Sequence, residues 1–178
     1  MQGSHKTAEE KYKNIRKIAH EITVEELPYQ DKNAIALTDI SAAALNAISC
    51  AKGRSVDWDW NFGVRSYRTR YPNRFELAIW YSSTVCGLSL GRPSYHGSRV
   101  RLDFIERVPG TNNPLVGRVT PIAVTAYEVY ARLIDARQVR IISPAEALIE
   151  YYTSLNYVFV KGSGSQMNPS YLYKSLEG

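Results

Sequence analysis

Arg65, Arg68, Arg70 and Arg74 fall between residues 65 and 74 and are interleaved with Tyr67 and Tyr71. Guanidinium groups pair with phosphate oxygens and phenol rings stack on bases, so this cluster can form a surface for nucleic acid or for a protein partner. The same composition also suits a solvated loop whose aromatic rings pack on a sheet. No sequence signature of a nucleic-acid module accompanies it. His5, His20 and His96 are scattered without ligand spacing, so no metal site is expected. Cys50 and Cys86 lie in the apolar stretches NAISCA and STVCGLSL, without the paired spacing of metal or redox sites, and read as buried free thiols.

The chain that must position such groups has 178 residues, a length suited to one domain around a single core. Hydrophobic residues make up 44% and charged residues 22%, and no run of about 18 apolar residues occurs, which argues against both a disordered chain and a membrane-spanning helix. The first residues, MQGSHKTAEEKYKNIRK, are not followed by an apolar segment, so no secretory signal is read and the cytoplasm is the expected compartment. The net charge of +5 suits an anionic ligand or nucleic acid, and equally suits plain solubility.

Hydrophobic spacing divides the chain into a helical part (1–56), the aromatic and basic segment (57–74) and a sheet core (75–178). Ala8, Tyr12, Ile15 and Ala19 share one face of a helix over 7–20, with Glu9, Lys13 and Lys17 away from it. A second helix is predicted from Asp39 to Cys50, after a mixed polar segment at 26–37. Residues 57–74 show no helix or strand period. FELAIWY (75–81) and TVCGLSL (84–90) form a hairpin through Ser82-Ser83, and 99–108 alternates as a third strand with its even-numbered face toward the core. Thr120-Pro121 supplies an N-cap and a first-turn proline for a helix to about Ile134, whose buried stripe is Ile122, Ala126, Val129 and Leu133. The strand 139–142 then completes a βαβ crossover. Ser143-Pro144-Ala145-Glu146 reads as a capping box opening a further helix, Asn156 as its left-handed terminus, 157–160 as a strand, and 170–176 as a final edge strand.

The run ARLIDARQVRIISPAEALIEYYTSLNYVFV (131–160), with turns at Ile134-Asp135-Ala136 and Leu155-Asn156-Tyr157, resembles the second half of the GNAT N-acetyltransferase superfamily. The upstream strands at 75–108 follow the same order. The resemblance implies an α/β domain with a GNAT-like mixed β-sheet flanked by helices. It also implies transfer of an acetyl or other acyl group from acyl-CoA to an amine by direct attack, with no metal, on a small-molecule or protein acceptor.

The resemblance assigns roles to individual residues. Tyr152 stands at the position of the tyrosine that protonates the departing CoA thiolate, although Tyr151 and Tyr152 can also be ordinary helix-face aromatics. A general base would be a carboxylate on the third strand, Asp103 or Glu106, and the opposite parity of the two lets only one face an acceptor pocket. Backbone groups near Ile105 and Arg107 would pair with pantetheine. The pyrophosphate would meet Gly117, Arg118, Val119 and Thr120. Here the chain departs from the family pattern: Pro114-Leu115-Val116-Gly117-Arg118-Val119-Thr120-Pro121 keeps one glycine, puts Val119 at a small-residue position and loses an N–H at Pro121. Ala145 stands where the family often has asparagine. The rival expectation is a protein of this fold that does not catalyse acyl transfer, with nucleic acid or a protein partner held by Arg65, Arg68, Arg70 and Arg74.

Overall fold

The computed structural model describes residues 2–176. In chain order the elements are α1 (Gln2–Glu26), β1 (Ile35–Thr38), α2 (Ala42–Cys50), α3 (Trp60–Arg70), β2 (Phe75–Tyr81), β3 (Thr84–Pro93), β4 (Arg99–Arg107), α4 (Val119–Leu133), β5 (Gln138–Ile142), α5 (Ile149–Ser154), β6 (Val158–Val160) and β7 (Tyr171–Ser175). The strands form one mixed sheet in the order β1-β2-β3-β4-β5-β7-β6. Among the described strands only β4 and β5 pair in parallel, joined by the crossover helix α4. α1 and α4 cover one face of the sheet, over Phe75, Leu77, Val100, Leu102, Val139 and Ile141. α2 and α3 cover part of the other, packing Ile48, Trp60 and Val64 on Ala78, Leu88 and Leu90.

The hairpin, the third strand and the crossover are as the sequence predicts, and Asn156 is left-handed, with φ of +67°. Several expectations are corrected. Residues 60–70 form a helix: the Asp59 side chain accepts from Phe62 N, and Trp60 and Val64 recur one turn apart on its buried face. β1 was not expected, because its alternation of buried Ile35 and Leu37 with exposed Ala36 and Thr38 lasts only four residues. α2 starts after Ser41, which accepts from Ala44 N, while Asp39 is taken by Arg16. α4 starts at Val119: Gly117, with φ of +78°, turns the chain a step early, and Ile122 N already bonds Arg118 O. Thr120 is therefore inside the first turn instead of capping it, and Leu133 ends on the surface.

The box at Ser143–Glu146 does not cap a helix. Ser143 has φ of +49° and its N–H is bonded to Ser170 O, so a 3-10 turn at 146–148 precedes the helix. β7 is not an edge strand; it lies between β5 and β6. Cys86 is buried but Cys50 is exposed at the end of α2.

Between α1 and α3, across the start of β2, runs a group of ion pairs that the sequence reading missed. Arg16, 1% exposed, donates to Asp39 and Glu9; Arg74 donates to Glu9 and Glu76; Arg68 donates to Glu76 and to Ile40 O. Glu76 is completely buried and also accepts from Ile40 N at 2.9 Å. Burial opposes its ionisation, but Arg68 and Arg74 prevail and hold its carboxyl below the usual range. Glu9, expected away from the packed face of α1, thus points into it. Arg74 leaves the expected basic surface for the interior, and Arg68 is tied to it; Arg65 and Arg70 are exposed.

Candidate active site: a cleft where two parallel strands part

β4 and β5 pair only over Arg99–Leu102 and Gln138–Ile141. Beyond Leu102 the strands separate, because β5 stops at Ile142 and Ser143 turns the chain toward Ser170. The opening is a cleft of about 930 Å³. Its walls are Asp103–Arg107 of β4, the start of α4, the segment 141–145, α5 and the connection between α2 and α3 around Trp58.

One local irregularity sets its chemistry. On β3, Leu90 and Gly91 oppose Phe104 and Leu102, which leaves Asp103 as an extra residue on β4, a β-bulge. A side chain at Gly91 would collide with Arg101 O and Tyr127, so the bulge requires glycine there. The bulge resets the alternation: Val100 and Leu102 face α4, whereas Phe104 and Glu106 face α2 and α3. The parity argument that separated Asp103 from Glu106 therefore fails, and both reach α3. Tyr67 Oη donates to Asp103 at 2.7 Å, and Trp60 Nε1 donates to Glu106 at 2.6 Å.

Neither carboxylate is a free base. Asp103 also takes two N–H groups of Arg101, at 2.8 and 3.0 Å. Glu106 is gripped by Arg54 through both oxygens, at 2.7 and 2.8 Å, and its side chain is 3% exposed. Arg54 and Trp60, which lock Glu106 and anchor the α2–α3 connection, were not singled out from the sequence. The Asp59 cap and the Trp60/Val64 repeat were the available signal.

Ile105 and Arg107 lie on the cleft wall. Val108 N donates to Cys86 O, and in an antiparallel ladder alternate residues bond the same neighbour, so Glu106 and Phe104 pair with β3. The peptide groups of Ile105 and Arg107 then point into the cleft, where β5 no longer meets them. The start of α4 opens there too, with Gly117, Val119 and Thr120 on its wall. Helix N-termini leave amide donors without intrahelical partners. Val119 is only 2% exposed; its branched side chain packs on Gly87, where an added Cβ would lie 2.5 Å from Val119 Cγ1. Asn113 pins the preceding loop, donating to Cys86 O and Val108 O.

Arg118 is not part of the cleft wall. Its guanidinium donates to both oxygens of Asp31 and to Pro114 O, and lies 5.0 Å over the ring of Tyr29. The pairing follows from its backbone: as the residue before the helix it leans toward the 29–31 turn.

Four tyrosines are fully buried: Tyr127, Tyr130, Tyr152 and Tyr157. Tyr127 is bonded to Ser89 and Phe75 O, Tyr130 to Asn73 O and Tyr157 to Glu128. Tyr152, 1% exposed and on the cleft wall, has no hydroxyl partner among the described residues. Burial, with a smaller contribution from Tyr151, pushes its pKa up to about 12. Tyr151 lines the cleft as well but is half-buried. Among the described residues no cluster of three or more metal-type ligands occurs, and no helix is long and apolar enough to cross a membrane.

No known family profile and no curated protein matches the sequence. Solved structures do match the fold. The chain is similar to Ard1 from Thermoplasma volcanium, with a TM-score of 0.61 and 11% identity over 82% of this chain and 99% of that one. It is also similar to a putative acetyltransferase, yncA, from Salmonella typhimurium, determined with its cofactor acetyl-CoA (TM-score 0.56, 14% identity, 82% and 95% covered). A third similar structure is the ribosomal-protein-S18-alanine N-acetyltransferase from Escherichia coli (TM-score 0.55, 10% identity, 81% and 96% covered). The architecture is the GNAT fold, as the turns around 131–160 suggested.

Proposed function

We propose that the protein is an N-acyltransferase that moves an acetyl or other short acyl group from acyl-CoA to an amine bound in the cleft. The observation that carries this reading is the Tyr152 hydroxyl: of four fully buried tyrosines it alone lacks a partner among the described residues, and it faces the opening between β4 and β5. The hydroxyl is open to the cleft and is not sealed in the core, so it is free to donate to whatever arrives there.

The residues present fit acyl-CoA. The outward peptide groups of Ile105 and Arg107 supply a strand edge on which the amide-bearing pantetheine arm can pair as an added strand. The amides of Gly117, Val119 and Thr120 at the start of α4 meet the pyrophosphate, favoured by the partial positive charge of a helix N-terminus. Arg118 stays with Asp31 and takes no part.

In the reaction the amine lone pair attacks the thioester carbonyl, the C–S bond breaks, and the sulfur leaves with the bonding pair. Tyr152 donates its O–H to that sulfur. With its pKa near 12, against about 8.5 for an ordinary thiol, the phenol stays protonated and works as a hydrogen-bond donor to the developing thiolate. The proton lost by the amine goes to water. Asp103 and Glu106, with their oxygens already bonded, position the Tyr67 and Trp58–Trp60 wall of the acceptor side instead of abstracting a proton. The acceptor is a small-molecule or protein amine that reaches the cleft past Trp58.

Thiol release from acetyl-CoA across a panel of primary amines tests the reading. Turnover with at least one amine is expected. Tyr152→Phe should lower it roughly 10²-fold while Tyr151→Phe leaves it within a few-fold. No turnover and no CoA binding with any amine would remove the activity and leave the fold.

A further inference from the structure

α2 and α3 pack on β2, β3 and Phe104, and the remainder of that sheet face has no helix over it. Because Val100, Leu102, Val139, Ile141 and Leu172 point to the α4 side, their neighbours in sequence point to the open one. Strand register sets Arg92 directly opposite Arg101, Arg101 opposite Arg140, and Arg140 opposite Tyr173. This makes a row across four adjacent strands, at about 4.8 Å per step. Arg99 stands one step along the sheet from Arg101, and Tyr171 one step from Tyr173.

Like charges directly opposite each other in a sheet are destabilising, and this row places three guanidinium groups side by side. Asp103 answers Arg101 and no other member. Partial burial, and then Arg99 and Arg101, lower the pKa of Arg140 from the ordinary arginine value. Two of the arginines rest on aromatic rings: the Arg140 guanidinium lies 4.4 Å from the ring centre of Tyr171, and that of Arg92 lies 4.5 Å from that of Tyr71. Such a face lacks an anion, and its flat, ring-bearing surface suits one with planar groups attached.

We infer that this open face binds single-stranded nucleic acid, with Arg92, Arg99 and Arg140 on phosphates and Tyr171 and Tyr173 under unpaired bases. A phosphate chain supplies the missing negative charge at intervals, and bases supply the π-faces that phenol rings stack on without reading sequence. A duplex hides those faces, so it satisfies only half of the surface. The surface is separate from the α3 arginines to which the sequence pointed, and it does not depend on acyl transfer.

Fluorescence anisotropy with labelled 12-nucleotide oligouridylate and oligodeoxythymidylate tests this, with a blunt duplex and heparin as competitors and salt as the variable. Salt-dependent binding of either oligonucleotide is expected, with duplex and heparin competing less well. The double variant Arg99→Gln/Arg140→Gln should bind at least tenfold more weakly in 0.1 M salt and flatten the slope of log affinity against log salt by about 1.4, since each lost phosphate contact removes about 0.7. It should melt no lower than the wild type, because like charges are being removed. Tyr173→Ala should weaken binding severalfold with the slope unchanged, and Tyr173→Phe should restore it. Arg65→Gln/Arg70→Gln should bind as the wild type does. The inference is overturned if no salt-dependent binding occurs, if heparin or duplex binds as well and Tyr173→Ala has no effect, or if the Arg65/Arg70 variant loses as much as the Arg99/Arg140 one.

Discussion

The ion-pair group at the start of β2 and the cleft between β4 and β5 lie on the same sheet and treat polar groups in opposite ways. At the start of β2, Glu9, Arg16, Asp39, Arg74 and Glu76 satisfy one another, and the fully buried Glu76 takes donors from two arginines and a backbone amide. In the cleft the Tyr152 hydroxyl and the outward peptide groups of Ile105 and Arg107 meet no partner among the described residues, while the adjoining carboxylates are fully engaged. A closed polar network fixes a structure. Open valences beside clamped ones define where something else must bind and which groups are free to act on it.

The largest expected effect is on the closed side. Glu76→Gln leaves Arg68 and Arg74 with an uncompensated share of buried charge and should cost about 3–5 kcal/mol, lowering the melting temperature by roughly 6–20 °C. A shift under 2 °C would break the contrast. The next effect separates the buried tyrosines. Tyr157→Phe removes a hydrogen bond to the Glu128 carboxylate and should destabilise by about 1–3 kcal/mol. Tyr152→Phe removes no bond and should melt with the wild type, its loss appearing only in turnover.

His20 provides a pH test of the closed side. Its Nε2–H donates to Glu76 O at 3.2 Å, and burial lowers its pKa to about 4. The unfolded chain therefore binds this proton more readily than the folded one. Stability should fall as pH drops from about 6.5 toward 4, by roughly 2–3 kcal/mol at the low end. The lowered carboxyls of Glu9 and Glu76 add to acid lability only below about pH 4.5. Melting curves of wild type and His20→Gln between pH 7 and 5 should converge toward acid; parallel curves would contradict the burial of a neutral imidazole. The smallest effect is at Arg118. Arg118→Ala should change CoA affinity less than twofold, since its guanidinium is held by Asp31 outside the cleft.

The sequence reading succeeded where one residue's pattern is answered nearby. The βαβ order and the left-handed Asn156 rest on periods and turn residues that neighbours reinforce. It failed where a distant partner decides. Arg74 and Glu9 look like surface charges until β2 and α1 come together. Asp103 and Glu106 were set on opposite faces because alternation carries no sign of a bulge, which depends on what Gly91 lets Arg101 and Tyr127 approach. Ser143 and Glu146 have the letters of a capping box, but the bond between Ser143 N and β7 takes the chain elsewhere. Tyr152 could be picked by its place in a resemblance; its missing partner could only be seen beside the three tyrosines that have one.

The account's central claim is that the cleft receives acyl-CoA, and a melting curve with acetyl-CoA tests it most directly. At a hundred times the dissociation constant a ligand specific to the folded state stabilises it by about 2.7 kcal/mol, which for a chain of this size raises the melting temperature by roughly 5–11 °C. The account predicts such a rise with acetyl-CoA and with CoA, growing with the logarithm of concentration above the dissociation constant, and equally large in Tyr152→Phe. A melting temperature unmoved at millimolar acetyl-CoA would contradict it.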